Sequence, residues 1–127
     1  MIVLDASALL ALIKDEPGAD VVSRAAANND ATISSVNYAE VLQKAASLGV
    51  TAEEVDAALE DLGITVTPFA RLDARLTASF YRHKSGLGIA DRVCLALARS
   101  LSSPAHTADR SWQRWAEEFG VDLQLIR

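Results

Sequence analysis

The sequence predicts a three-layer α/β/α domain built around a mainly parallel sheet. Short stretches of β-branched and apolar residues alternate along the chain with longer segments whose apolar residues recur three or four positions apart. Strands that alternate with helices in this way form parallel sheets covered on both faces. The chain has 127 residues, half of them hydrophobic, which predicts a single domain over residues 1–127.

Five short strands are predicted, at residues 2–4, 31–34, 64–68, 105–107 and 121–126. Helices are predicted between them, at residues 7–14, 19–27, 38–48, 52–62, 71–84, 90–101 and 111–119. Turn and cap residues support these limits. Residues 16–18 stop the first helix, Gly63 follows the fourth, and Thr51 with Glu54 has the spacing of a capping box. The all-apolar stretch 93–98 predicts the most buried helix.

Composition restricts the cellular context and the partners. Cys94 is the only cysteine, so neither an intrachain disulfide nor a cysteine-based metal site can form, and a reducing, cytoplasmic location is expected. The longest apolar run, residues 8–13, is far shorter than the roughly 20 residues that span a bilayer, so no membrane association is expected. The net charge of −5 argues against a nucleic-acid partner unless a local basic rim offsets it.

Four carboxylates are predicted to lie at one edge of the sheet. Asp5 and Asp109 directly follow the first and fourth strands, Asp91 lies in the first turn of the most buried helix, and Glu40 lies one turn into the helix after the second strand. Open parallel sheets bind ligands at the carboxyl ends of their strands. Because carboxylates packed together repel one another, this arrangement favours a hard divalent cation with oxygen ligands.

Each acid also has a simpler explanation. Helix capping alone accounts for Asp5, Asp91 and Asp109, since aspartate is a favoured N-cap residue. Glu40 lies four residues before Lys44, which is the spacing of an ordinary surface ion pair. The remaining acids of the fourth helix predict a solvated face. The agreement between separate elements is what favours a shared site.

Four stretches, "VLDASALLALIKDEPGAD", "SSVNYAEV", "GLGIADRVCLALA" and "HTADRSW", resemble in order and spacing the motifs of PIN-domain ribonucleases. Among these, the sequence is most similar to the VapC-type toxins of bacterial toxin–antitoxin pairs. The resemblance spans nearly the whole chain. It implies that the catalytic, metal-binding acids are Asp5, Glu40, Asp91 and Asp109.

The resemblance also assigns supporting residues near the acids. Ser7 and Thr107 match the family's hydroxyls, which would orient a carboxylate or a water molecule. His106 departs from the family, which more often has an aliphatic residue at that position, and it predicts an irregular or more exposed strand.

The resemblance implies an Mg²⁺- or Mn²⁺-dependent endoribonuclease. The metal would activate water and neutralise charge on the attacked phosphate, so that no side chain acts as nucleophile. Asp5, Glu40 and Asp91 would be the main ligands, with Asp109 assisting. The implied partners are RNA, a second copy of the chain in a homodimer, and a cognate VapB-like antitoxin. An antitoxin arginine that reaches the carboxylates would compete with the metal.

Basic side chains near the acids are the predicted contacts for RNA phosphates. The candidates are Arg82, Lys84, Arg92 and Arg110. Together with a bound cation, they would offset the negative charge locally. The alternative is that they are solvated surface groups, which is common for an arginine beside an acid.

Two other classes of function stay open. One is a non-catalytic PIN-fold module that binds a protein partner. The other is a phosphoaspartyl-type phosphatase with Asp5 as nucleophile, which is disfavoured because Ser7 stands where such enzymes have a second aspartate. A serine hydrolase is disfavoured because the Gly-x-Ser-x-Gly elbow is absent.

Overall fold

The computed structural model describes residues 1–127. Its five strands are β1 (Ile2–Leu4), β2 (Ala31–Ser34), β3 (Ile64–Thr67), β4 (Ala105–Thr107) and β5 (Leu123–Leu125). They form one sheet in the order β3-β2-β1-β4-β5, and every neighbouring pair is parallel. The carboxyl ends of all five strands therefore share one edge, called the carboxyl edge below. The predicted strands and the parallel sheet are confirmed, although β3 and β5 are shorter than predicted.

Seven α-helices cover the sheet. They are α1 (Ala6–Lys14), α2 (Ala19–Asn28), α3 (Ser35–Ser47), α4 (Ala52–Leu62), α5 (Arg71–Ser79), α6 (Ile89–Ser100) and α7 (Gln113–Phe119), the last preceded by a 3-10 turn at Arg110–Trp112. None of these helices combines the length and the apolar character that crossing a bilayer requires.

The two largest differences between the predicted and observed helix limits have local physical reasons. α3 begins three residues earlier than predicted because the Ser34 side chain accepts a hydrogen bond from Val36 N and caps the helix. α5 ends at Ser79 rather than at Lys84. Lys84 has a φ of 57°, which no α-helix accommodates, and Phe80 turns inward to stack on Phe119 with ring centroids 4.2 Å apart.

Both faces of the central strand are buried, which confirms the three-layer architecture. Ile2 and Leu4 pack with α1, α2, α3 and α4 on one face, and Val3 packs with α6 and α7 on the other. Residues 93–98 of α6 are all buried, as predicted for the most buried helix. The core thus fixes the first turn of α6 against the carboxyl edge.

The strand β4 is regular and fully buried, so the expectation of an irregular or exposed strand around His106 is wrong. His106 is 5% exposed and pairs in register with Leu4 of β1 and Gln124 of β5. Burial lowers the pKa of its imidazole, against a smaller opposing effect of Asp122. The sheet accommodates this side chain because it stays uncharged at neutral pH.

Candidate active site

The four predicted acids lie where the chain leaves strands or enters helices at the carboxyl edge. Asp5 caps α1 directly after β1, and Asp109 caps the 3-10 turn that follows β4. Asp91 lies in the first turn of α6, and Glu40 lies in the second turn of α3. The charges of Asp5, Asp109 and Glu40 each raise the pKa of Asp91. The structure therefore brings the four carboxylates into one electrostatic cluster.

Two hydroxyl groups hold the Asp5 carboxylate. Ser7 Oγ donates to Asp5 Oδ2 over 2.8 Å, and Thr107 Oγ1 donates to the same oxygen over 3.0 Å. Each hydroxyl also accepts a hydrogen bond from a backbone amide in the segment after β4. Ala108 N donates to Ser7 Oγ over 3.0 Å, and Asp109 N donates to Thr107 Oγ1 over 3.1 Å. This network connects the ends of β1 and β4 through one buried carboxylate.

Glu40 and Asp91 are held from the other side of the cluster. Asn37 Nδ2 donates to Glu40 Oε2 and to the carbonyl oxygen of Ala90, each over 3.0 Å. Gly88 N donates to Asp91 Oδ2 over 3.0 Å. Sequence reasoning missed Asn37. The available signal was its position three residues before Glu40 on the same helical face.

One oxygen of every carboxylate accepts no hydrogen bond from the protein. These oxygens are Asp5 Oδ1, Glu40 Oε1, Asp91 Oδ1 and Asp109 Oδ2. None of the three ion pairs in the structure includes any of these acids, so the Glu40–Lys44 pair that was considered as an alternative is not formed. The cluster keeps four oxygens and its negative charge available for a ligand.

Burial and mutual repulsion make this cluster unfavourable when it is fully ionised. Burial raises the pKa of Asp5, against hydrogen bonds from Ser7, Thr107 and the backbone, and the charge of Glu40 raises it further. The pKa of Asp91 is raised to about 6, and burial is the largest cause. The hydrogen bond from Gly88 opposes this change, and the charges of the other three acids add to it. The ionised carboxylates therefore repel one another in a partly desolvated site, and a bound cation would offset this unfavourable electrostatic energy.

The donor set suits a hard divalent cation because it consists of carboxylate oxygens alone. Cys94 lies close enough that Asp5, Asp91 and Glu40 add to the effect of burial in raising its pKa, so the thiol is protonated and unsuited to binding metal. No three His, Cys, Asp or Glu side chains are close enough in this arrangement to hold one ion. The residues fit a cation in charge and donor type, and binding it would require the free oxygens to move closer together.

Two of the four predicted RNA contacts lie beside the acids. Arg92 follows Asp91, is half-buried, donates to the Thr77 carbonyl over 3.2 Å, and lies with its guanidinium 5.4 Å from the centre of the Tyr81 ring. Arg110 follows Asp109 and is exposed. Both arginines are adjacent to an acid in the sequence, and the Arg92 guanidinium contacts Thr77 and Tyr81 rather than a carboxylate.

The other two predicted contacts lie in the segment between α5 and α6. Arg82 donates to Glu118 over 2.8 Å and covers the Phe119 ring. It lies beside Ser100, at the end of α6 opposite to Asp91. The structure therefore does not bring Arg82 to the acids. Lys84 is exposed on the same connecting segment.

Replacing Ser7 with Ala is expected to lower the free energy of unfolding by about 1–2 kcal/mol, because it removes one of the hydrogen bonds to the buried Asp5 carboxylate and leaves the amide of Ala108 without a partner. The Ser7 hydrogen bond lowers the pKa of Asp5, so its removal raises a folded-state pKa that already exceeds the unfolded value. The loss should therefore grow as the pH rises above about 4. Urea unfolding at pH 4 and pH 7.5 measures this. Ser79→Ala, which removes an exposed hydroxyl, is the control and should show no such pH dependence.

Comparison with known proteins supports the family resemblance. The PIN domain family model matches residues 2–118. Three solved structures have the same fold, and each covers nearly the whole chain. VapBC2 from Rickettsia felis, bound to a DNA fragment from its promoter, has a TM-score of 0.73 at 20% identity and covers 98% of each chain. FitAcB from Neisseria gonorrhoeae has a TM-score of 0.70 at 22% identity, covering 99% of this chain and 98% of that one.

The third structure is a toxin–antitoxin complex from Klebsiella pneumoniae, with a TM-score of 0.70 at 16% identity, covering 89% of this chain and 91% of that one. No curated protein matches the sequence. The family model covers almost the entire chain, and the parallel sheet with acids at its carboxyl edge is the architecture that the resemblance implied. The chain therefore belongs to the PIN domain family.

Proposed function

We propose that this protein is an Mg²⁺- or Mn²⁺-dependent endoribonuclease and the toxin of a type II toxin–antitoxin pair. The observation that carries the proposal is the cluster of four carboxylates, each with one oxygen free of protein contacts and none paired with a cation. Such a cluster, at the ligand-binding edge of a parallel sheet, is suited to a divalent metal and a phosphodiester.

Asp5, Glu40 and Asp91 are the proposed ligands, and Asp109 is proposed to assist them. A bound cation would supply an activated water molecule and charge neutralisation at the attacked phosphate. Ser7 and Thr107 hold the Asp5 carboxylate in one orientation. Because the side chain is already fixed, Asp5 would lose little conformational entropy when a cation binds to its free oxygen. The N-terminal ends of α1 and α6 add partial positive charge toward the same edge, which favours a phosphate there.

The chain's own side chains do not support a covalent route. Ser7 Oγ is held between Asp5 Oδ2, to which it donates, and Ala108 N, from which it accepts, and the Cys94 thiol is buried and protonated. A phosphoaspartyl route would need an acid near the Asp5 nucleophile to protonate the leaving group. Ser7 occupies the position where such enzymes have that acid, and here it supports Asp5 instead.

The proposed substrate is RNA, with Arg92 and Arg110 as phosphate contacts beside the acids. Arg82 is disfavoured as a phosphate contact because it lies at the opposite end of α6, in an ion pair with Glu118. Lys84 is disfavoured with it because it lies on the same connecting segment. The proposed protein partner is a VapB-like antitoxin, supported by the fold shared with the toxin–antitoxin complex from Klebsiella pneumoniae and with VapBC2 from Rickettsia felis. A homodimer and a cytoplasmic location complete the proposal.

The test is cleavage of total cellular RNA by the purified protein with Mg²⁺ or Mn²⁺, with EDTA, and with the Asp5→Asn variant, followed by mapping of the cut ends. Discrete cuts that require both the metal and Asp5 would support the nuclease and identify its substrate. Cuts that persist in EDTA would contradict the proposed chemistry.

The carboxylates are too far apart in this structure to hold one ion together, and this observation favours a second candidate function. This is a PIN-fold module that binds its protein partner without cleaving RNA. The absence of cleavage in every RNA pool, together with tight binding of a cognate partner, would favour this candidate.

A further inference from the structure

We propose that Asn37 is a positioning residue that sets the separation of Glu40 and Asp91, and through it the affinity of the site for a divalent cation. This inference rests on the proposed function. Asn37 belongs to α3, is completely buried, and is the only side chain that hydrogen-bonds to Glu40. It also reaches the residue that precedes Asp91.

The orientation of the Asn37 amide follows from its partners. Its Nδ2 atom lies 3.0 Å from Glu40 Oε2 and 3.0 Å from the carbonyl oxygen of Ala90. Both partners are hydrogen-bond acceptors, so the group between them must be the NH₂ with its two donors. One side chain therefore connects an acid on α3 to the backbone of the first turn of α6.

The opposite end of the amide shows that packing alone does not explain Asn37. Its Oδ1 atom is buried and accepts no hydrogen bond, which is unfavourable for a polar atom removed from water. An apolar side chain of similar size would fill the space without leaving an acceptor unpaired. The two donated hydrogen bonds are the interactions that an apolar residue could not make.

These hydrogen bonds constrain two acids at once. A hydrogen bond to an ionised carboxylate is stronger than a neutral one, and here it holds one oxygen of Glu40 while Oε1 stays free for a ligand. The bond to Ala90 fixes the start of α6, where Gly88 N holds Asp91 in turn. Loss of Asn37 would release Glu40 from α6 and allow repulsion to separate the two carboxylates.

The test is a double-mutant cycle on Mn²⁺ affinity, measured by titration calorimetry with wild type, Asn37→Ala, Glu40→Gln and the double variant. Removal of a group that orients a metal ligand typically weakens binding 10- to 100-fold, and we expect about tenfold for Asn37→Ala. Because Asn37 acts through Glu40, the double variant should bind no more weakly than Glu40→Gln alone. Asn37→Ser replaces Asn37→Ala in the cycle if the alanine variant does not fold, as judged by circular dichroism.

Val55→Ala is the control for general destabilisation, since Val55 is buried on α4 in the apolar core. It should lower the melting temperature and leave the Mn²⁺ affinity unchanged. The role of Asn37 would be overturned if the Asn37 variant bound Mn²⁺ as tightly as the wild type. It would also be overturned if the losses of Mn²⁺ binding free energy from the two single variants added up in the double variant. Neither result would contradict the metal site itself. Failure of the wild type itself to bind Mn²⁺ would overturn the proposed function, and this inference with it.

Discussion

Replacing Asp5 with Asn is expected to lower metal-dependent RNA cleavage at least about a thousandfold, equivalent to about 4 kcal/mol of transition-state stabilisation. Asn keeps one carbonyl oxygen as an acceptor for the hydroxyls of Ser7 and Thr107, which now hold the carboxylate. It replaces the free anionic oxygen with an NH₂ group, which cannot bind a cation. The loss should therefore appear in activity, without a loss of folding stability.

The measurement is kcat/KM on an RNA fragment that contains a mapped cleavage site, at saturating Mn²⁺. Asp61→Asn is the matched control because Asp61 lies on the exposed face of α4, and it should cleave like the wild type. Retention of activity within tenfold by Asp5→Asn would exclude Asp5 as an essential ligand.

Replacing Asp91 with Asn is expected to stabilise the metal-free protein at pH 7.5 by about 1–2 kcal/mol while abolishing cleavage. Burial and the neighbouring acids raise the pKa of Asp91 from 3.8 to about 6 in the folded protein. A full shift of this size corresponds to roughly 3 kcal/mol, which solvent screening reduces because the side chain is half-exposed. Asn carries no charge and can still accept the hydrogen bond from Gly88.

The sign of the pH dependence follows from proton binding. Between about pH 4 and pH 6 the folded protein holds a proton on Asp91 that the unfolded chain has released, so Asp91 lowers stability as the pH rises. The penalty is absent below this range and constant above it. The gain from Asp91→Asn should therefore be near zero at pH 4 and complete above pH 6.

Urea unfolding in EDTA at pH 4 and pH 7.5 measures this gain. Asp20→Asn is the control, since Asp20 also lies in the first turn of a helix but is exposed, and it should bring no gain. Mn²⁺ at 100 times its Kd should stabilise the wild type by about 2.7 kcal/mol and leave the Asp91 variant unchanged. A variant that is less stable than the wild type in EDTA at pH 7.5 would contradict the repulsion described for the cluster.

The sequence allowed the acids to be located because their signal is local. A short β-branched strand followed by an aspartate places that aspartate at the carboxyl edge whatever the rest of the chain does. This reasoning found Asp5 and Asp109 directly, and helix periodicity added Asp91. It did not find Asn37, since the Ala90 carbonyl that explains it lies 53 residues away in sequence.

The wrong predictions for α5 and β4 concern residues whose conformation depends on contacts with distant parts of the chain. Residues 80–84 are compatible with a helix, and only the stacking of Phe80 on Phe119 and the backbone turn at Lys84 explain why α5 ends early. His106 predicted a disturbed strand because it departs from the aliphatic residue that the resembling family more often has at this position. In the folded protein it lies between Leu4 and Gln124 on the neighbouring strands, which the local sequence does not reveal.

The order of strands in the sheet has a consequence for synthesis of the protein. β1 is translated before the other strands of the sheet, yet one of its two neighbours is β4, made of residues 105–107. The hydroxyl of Thr107 that holds Asp5, and the carboxylate of Asp109, therefore reach the site only after helices α1 to α6 have been translated. Domains fold as units once their chain is available. A nascent or prematurely terminated chain that ends before β4 has no complete acidic cluster, so the proposed active site forms only after residue 109 has been translated.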